Sequence, residues 1–295
     1  MNGLKWRAWF KASRPPFYIA TLIPLCIGWI LAARETGWLL GRFLLVNCAA
    51  VMVHMATNLV NDYYDYLQGV DSGESIGGSR VLQEGTISLE TLGRAILLLY
   101  GGATLIGLCV VITLNLWAMV PFLLFAVLSS YFYTAPPVRY GYYGLGELFV
   151  GINMGPLMVT CTYWTFSGRP DWAPLCVSVP IGFMVASILY YQSLPDMRTD
   201  ARTGKRTLAV RLGRRGALVG LIVNWAAIYL SIIILVLTGY LPWPAMLSVL
   251  TVPVFVRLVR IVRKTEDWLE LDKHGKYVRV LYFLNGGIII LALLV

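Results

Sequence analysis

Two clusters of oxygen-bearing side chains close apolar runs of this sequence. Asn58, Asn61, Asp62 and Asp65 lie in NLVNDYYD, and Gln192, Asp196 and Asp200 lie in QSLPDMRTD. Residues three or four apart share a helix face, so each cluster forms one polar stripe, and His54 extends the first upstream. Carboxylates beside hydrocarbon are costly and usually pair, bind ions or mark a pathway. Four of them brought together would repel strongly in a low dielectric, so a cation must neutralise them or some must stay protonated. A divalent metal bridging to a diphosphate resolves that repulsion. The Asn and Gln neighbours then supply neutral oxygens, and hard oxygen donors of this kind suit Mg²⁺. The competing reading, solvated helix ends at a membrane boundary, accounts for one cluster better than for two with Arg and Lys nearby. Asp71, beyond Gly69, reads equally as a further metal ligand and as a solvated loop residue. His54, about two turns into its run, is expected to be a satisfied intramembrane histidine rather than a metal ligand.

Glycine and cations follow both clusters. Ser75–Gly85 reads SIGGSRVLQEG, where glycines let backbone N–H groups approach an anion and Arg80 offers a fork for phosphate oxygens. By itself such a loop is a weak signal. After the second cluster, TGKRTLAVRLG lacks the glycine spacing of a Walker loop, yet it places Lys205 and Arg206 as candidate diphosphate cations. In YFYTAPPVR the tandem prolines stop a helix and leave Tyr133 and Arg139 at the membrane surface. There they serve either a leaving diphosphate or the interface itself.

Positioning these groups requires a membrane scaffold. The chain has 295 residues, is 58% hydrophobic and 13% charged, and its mean hydropathy is +0.70, whereas soluble domains carry about 25% charge. A crossing helix needs roughly 20 mostly apolar residues, and nine such spans are expected: 17–33, 43–65, 92–113, 117–135, 145–166, 173–194, 217–239, 242–262 and 277–295. The apolar runs are too long for the strands of an outer-membrane barrel. Of the 24 Lys and Arg, all but Arg34, Arg42 and Arg169 fall in the N-terminal tail, in the even-numbered connections or at the span ends that adjoin them. The positive-inside rule then puts the N-terminus in the cytoplasm, the C-terminus outside and both aspartate clusters at the cytoplasmic face. The +9 charge is thus topological, and no nucleic-acid partner is expected. The five cysteines are scattered through apolar segments and read as buried free thiols. No cleavable signal peptide is expected at the N-terminus. Residues 1–295 are read as one transmembrane domain with cap loops at about 66–91, 136–144 and 195–216.

The stretches NLVNDYYDYLQGVD, GGSRVLQEG, YTAPPVRYGYYGLGEL and LPDMRTDARTGKRTLAVRLG, in this order, resemble the UbiA superfamily of intramembrane aromatic prenyltransferases. The first and last are most similar to the 1,4-dihydroxy-2-naphthoate polyprenyltransferases of menaquinone synthesis. Two positions depart from the pattern: Gln192-Ser193 stand where relatives often carry Asn-Glu, and Gly69 stands where a third Asp is common. The resemblance implies an all-α membrane protein, its helices forming a barrel around a central cavity, in the cytoplasmic (inner) membrane. It implies Mg²⁺-dependent transfer of a polyprenyl group from polyprenyl diphosphate to an aromatic acceptor, here 1,4-dihydroxy-2-naphthoate. Metal ligation falls to Asp62, Asp65, Asp196, Asp200, Asn61 and Asp71, and diphosphate binding to Arg80, Tyr133, Arg139 and Lys205. Asn58, Gln192 and Arg14 are the expected substrate contacts, Arg14 reading also as an interface anchor. No obligate protein partner is evident. The alternatives are another acceptor (4-hydroxybenzoate, homogentisate or an ether lipid) and, more remotely, a cation-coupled transporter.

Overall fold

The computed structural model describes residues 2–70 and 76–295, which contain helices and no strand. An opening helix α1 (Asn2–Ser13) leads into α2 (Ile19–Thr36) and α3 (Leu40–Leu67). These are followed by α4 (Leu89–Leu114), α5 (Val120–Phe132), α6 (Gly146–Ile152), α7 (Met158–Ser167), α8 (Trp172–Ser193), α9 (Met197–Arg202) and α10 (Leu208–Leu237). The chain ends in α11 (Val252–Lys264) and α12 (Lys276–Leu294). Among the described residues, seven helices are long and apolar enough to cross a membrane, with Trp117–Phe132 a shorter apolar helix. The expected span 145–166 is α6 and α7 joined by a π turn, Asn153–Leu157. The helix expected to start at 217 begins at Leu208 instead. Thr207 caps it, and Gly213, at φ 66°, breaks its early part. The fourth span is expected to reach residue 135, but α5 stops at Phe132, ahead of the tandem prolines.

Boundaries follow local chemistry. Ser88 accepts from the Thr91 N–H to start α4, and Asp171 accepts from the Ala173 N–H to start α8; each satisfies a donor that a helix N-terminus leaves open. Hydrophobicity gives little drive to pack helices against one another in lipid, so contact depends on close backbone approach and buried polar bonds. A Cβ on Gly28 of α2 would lie 2.5 Å from the Val159 carbonyl oxygen of α7, and one on Gly155 would lie 2.5 Å from Gly182 Cα of α8. At the α10–α12 side, Tyr229 bonds Thr251 at 2.7 Å and Asn285 donates to Thr251 at 3.0 Å, all three buried. Leu97, Leu98 and Leu105 on α4 are about 70% exposed, as a lipid-facing surface would be.

The two ends of the bundle differ in charge. Arg34, Arg42 and Arg169 gather at one end, where Arg42 donates to the Thr165 carbonyl at 3.1 Å and Arg169 pairs with Glu35, also at 3.1 Å. At the other end Arg14, the loop at Ile76 and Ser79, Tyr142 and Lys205 meet both aspartate clusters.

Candidate active site

The last turns of α3 deliver the first cluster. Asp62 and Asp65 are buried, 3% and 1% exposed, so each must find partners. Asp62 pairs with Arg14 and accepts from the Ser79 hydroxyl and from the Ser79 N–H at 3.1 Å. Asp65 accepts from the Tyr142 hydroxyl and lies 3.2 Å from Lys205 Nζ. The second cluster stands on the turn between α8 and α9 and within α9. Asp196 accepts from the Ile76 N–H at 2.9 Å, and Asp200, buried, lies 3.9 Å from the same Lys205 Nζ. Two carboxylates from opposite halves of the chain thus converge on one ammonium. Burial alone would lower the Lys205 pKa; the charges of Asp65 and Asp200, with Tyr133 and Tyr142, outweigh it and hold the pKa well above the ordinary lysine value.

Tyr142 ties this cluster together. Its ring lies beneath Lys205 Nζ at 5.3 Å and beside the Arg139 guanidinium at 5.9 Å, and its carbonyl accepts from the Arg206 N–H at 2.9 Å. Arg139 also donates to Gln68 at 2.7 Å, yet its Nε is buried without a hydrogen-bond partner. Arg14, Arg80 and Arg139 have φ of 53°, 59° and 44°. The left-handed region costs a side-chain-bearing residue on the order of 1–2 kcal/mol. All three stand at the end of the molecule that carries the aspartate clusters.

Below the carboxylates lies a cavity of about 210 Å³ walled by α2, α3, α5, the π turn and α8. Arg14, Asn58, Asn61, Tyr133 and Gln192 line its walls. Asn58 donates to the Ser13 carbonyl at 3.3 Å. The Asn61 side-chain oxygen is buried with no hydrogen-bond partner. His54, farther down α3, bonds Thr21 at 2.6 Å and so is not idle.

Of the expected metal ligands, Asp65 and Asp200 come together through Lys205, Asp62 stands one turn from Asp65, and Asp196 is held by the loop at Ile76. Asp71 lies outside the described residues. Among the described residues no group of three or more His, Cys, Asp or Glu side chains sits close enough to hold a metal unaided; protein cations and hydroxyls occupy the carboxylates instead. Tyr133 packs edge-on to Tyr140 at 5.5 Å in the cavity wall. Arg80 is half-buried in the loop that carries Ser79. Sequence reasoning passed over Tyr142, Ser79 and Thr21. Tyr142 and Ser79 lie inside the quoted motifs, but only the long-range pairings to Asp65 and Asp62 single them out.

An unpartnered amide oxygen among carboxylates is a donor set for a hard cation, and an unpartnered guanidinium N–H is one for an anion. A 1,4-dihydroxy-2-naphthoate octaprenyltransferase of Bacillus subtilis (strain 168) is 30% identical over 246 residues, covering 82% of this chain and 77% of its own. A 2-carboxy-1,4-naphthoquinone phytyltransferase of Synechocystis sp. is 30% identical over 282 residues, 95% of this chain and 91% of its own. In three dimensions, a UbiA homologue from Archaeoglobus fulgidus, bound to GPP and Mg²⁺, superimposes with a TM-score of 0.65 at 16% identity, covering 96% of this chain and 99% of that one. With residues 21–270 matching the model of the UbiA prenyltransferase family, the chain belongs to that family.

Proposed function

We propose that this membrane prenyltransferase moves a polyprenyl group from polyprenyl diphosphate to 1,4-dihydroxy-2-naphthoate, diphosphate and the ring carboxylate (as CO₂) leaving, and the product being demethylmenaquinol, the reduced form of demethylmenaquinone. The observation that carries the reading is the convergence of Asp65 and Asp200 on Lys205, at 3.2 and 3.9 Å, beside a cavity whose deeper walls are mostly apolar. The curated relatives' acceptor chemistry supports the choice of a naphthoate. The likeness to a homologue that binds GPP and Mg²⁺ supports the metal.

Asp62, Asp65, Asp196 and Asp200, with Asn61 and Asp71, would hold Mg²⁺. All are oxygen donors, and the buried, unpartnered Asn61 oxygen fits a cation. When bound, Mg²⁺ supplies positive charge to the diphosphate as it leaves. Lys205, Arg139 and Arg80 add their own positive charge to the leaving group, and Tyr133 adds a hydroxyl donor. The protonated state of Lys205 is secured by Asp65 and Asp200. As the allylic C–O bond breaks, the cavity keeps water from the carbocation, which would otherwise be quenched to prenol. Arg14, Asn58 and Gln192, at the cavity wall, contact substrate.

The same reading gives nine spans, with the shorter apolar helix and the α6–α7 pair completing the seven long ones. It puts the N-terminus and the aspartate clusters at the cytoplasmic face of the inner membrane and the C-terminus outside. The segregation of Arg34, Arg42 and Arg169 to the opposite end supports this orientation. The test is turnover of purified protein with farnesyl diphosphate, dihydroxynaphthoate and Mg²⁺. Asp65→Ala and Asp196→Ala should each lower kcat at least 100-fold; unchanged turnover in either defeats the metal-site assignment.

A further inference from the structure

His54 stands two helical turns below Asp62 on α3, about 12 Å along the axis at 1.5 Å per residue. A histidine at membrane depth is costly unless it faces an interior cavity and has a task, and His54 lines the central cavity. Its Nδ1 lies 2.6 Å from the hydroxyl of Thr21, which is fully buried on α2. The Tyr18 ring meets it edge-on at 5.5 Å. These two contacts fix the plane of the imidazole.

Three other polar groups that line the same cavity, Thr57, Ser130 and Asn153, are already bonded within the protein. Thr57 donates to the Val53 carbonyl at 2.7 Å, and Ser130 bonds Tyr100 at 2.8 Å. Asn153 accepts from Ser129 at 2.9 Å and donates to the Phe149 carbonyl at 2.7 Å. His54 Nε2, by contrast, bonds no protein atom among the described residues. Two turns below the unpartnered Asn61 oxygen, the cavity therefore holds an oriented imidazole nitrogen open to a ligand. In the proposed reaction the attacked prenyl carbon sits beside the diphosphate, and the acceptor carbon must come within about 3–3.5 Å of it. A ring seated in the cavity on the side away from the diphosphate would lie between the aspartate level and His54.

We infer that His54, oriented by Thr21, hydrogen-bonds a ring hydroxyl of the aromatic acceptor and makes the enzyme select phenols over their ethers. The inference rests on the prenyltransferase reading above. His54 touches the acceptor; Thr21 is a positioning residue acting through it. A site built around a substrate hydroxyl rejects an analogue lacking it far more strongly than an apolar pocket does.

The experiment measures kcat/KM for dihydroxynaphthoate and each of its two monomethyl ethers, with farnesyl diphosphate and Mg²⁺. It compares the parent protein with His54→Leu, His54→Gln and Thr21→Val. Intrinsic reactivity differences between acceptors cancel when the naphthol-to-ether ratio is compared across proteins. For one of the ethers the ratio should fall at least about 10-fold in His54→Leu, the loss of one hydrogen bond. His54→Gln should restore part of it and Thr21→Val should lose less. The KM for farnesyl diphosphate should stay within about 2-fold of the parent's. A ratio unchanged for both ethers overturns the inference, as does an equal fall for every acceptor, which marks a structural role. A parent that uses 4-hydroxybenzoate but not dihydroxynaphthoate defeats the naphthoate assignment instead. The pair 4-hydroxybenzoate and 4-methoxybenzoate then decides the role of His54 in the same way.

Discussion

Replacing Lys205 with Met removes the ammonium that stands 3.2 Å from Asp65 and 3.9 Å from Asp200. At an effective dielectric constant of about 20, those separations are worth roughly 5 and 4 kcal/mol of attraction. Against this stand several kcal/mol for desolvating the ammonium. Removing one partner of a buried pair leaves the other charges uncompensated, at a net cost of about 3–5 kcal/mol. For a chain of this size that corresponds to roughly 10 °C in Tm. The informative assay is thermal unfolding in detergent, in EDTA and then in Mg²⁺. In EDTA the variant should unfold roughly 10 °C below the parent. Mg²⁺ should recover more Tm in the variant than in the parent, because there it replaces a missing charge. Turnover should fall nonetheless, since Lys205 is also lost to the diphosphate. The sign with pH follows from linkage. A lysine whose pKa is raised on folding contributes its stability fully below the unfolded value, near 10.5, and loses it as pH rises through the folded value. The Tm gap between parent and variant in EDTA should therefore be flat from pH 7 to about 9. Equal Tm values in EDTA, or equal Mg²⁺ shifts, would refute the charge balance described here.

Tyr142→Phe keeps the ring beneath Lys205 but deletes the hydroxyl that bonds Asp65. A hydrogen bond to a charged group is worth about 1.5–3 kcal/mol, so kcat/KM for the prenyl diphosphate should drop roughly 10- to 100-fold, with acceptor KM within about 2-fold in steady-state assays. Gly28→Ala would drive a Cβ to 2.5 Å from the Val159 carbonyl and 2.8 Å from Thr162 Cβ. It should cost about 1–3 kcal/mol of stability, visible as a lower Tm with an unchanged KM for both substrates.

Apolar run length made the membrane scaffold legible, because hydrocarbon thickness fixes how many residues a helix needs. The aspartate stripes were legible for a related reason, since polar side chains stand out against such runs. What stayed hidden is long-range. Nothing in the residues around Lys205 says that it lies between Asp65 and Asp200, or around Arg14 that it meets Asp62, because periodicity speaks of one helix at a time. The π turn at Asn153–Leu157 was equally invisible, since its register depends on how closely Gly151 and Gly155 approach Gly182. Tyr142 was lost among the 17 tyrosines of the chain. His54 reads as a satisfied histidine, which holds for Nδ1 and leaves Nε2 to the cavity.

Soaking or co-crystallising the protein with Mn²⁺ and farnesyl thiodiphosphate, and locating manganese by its anomalous scattering, tests the two-cluster site most directly. The expected result is manganese liganded by oxygens of Asp62 or Asp65 on one side and of Asp196 or Asp200 on the other, with Lys205 turned to the diphosphate. Manganese bound elsewhere, or a thiodiphosphate held by arginine and lysine alone with both aspartate clusters still in their protein ion pairs, would contradict it.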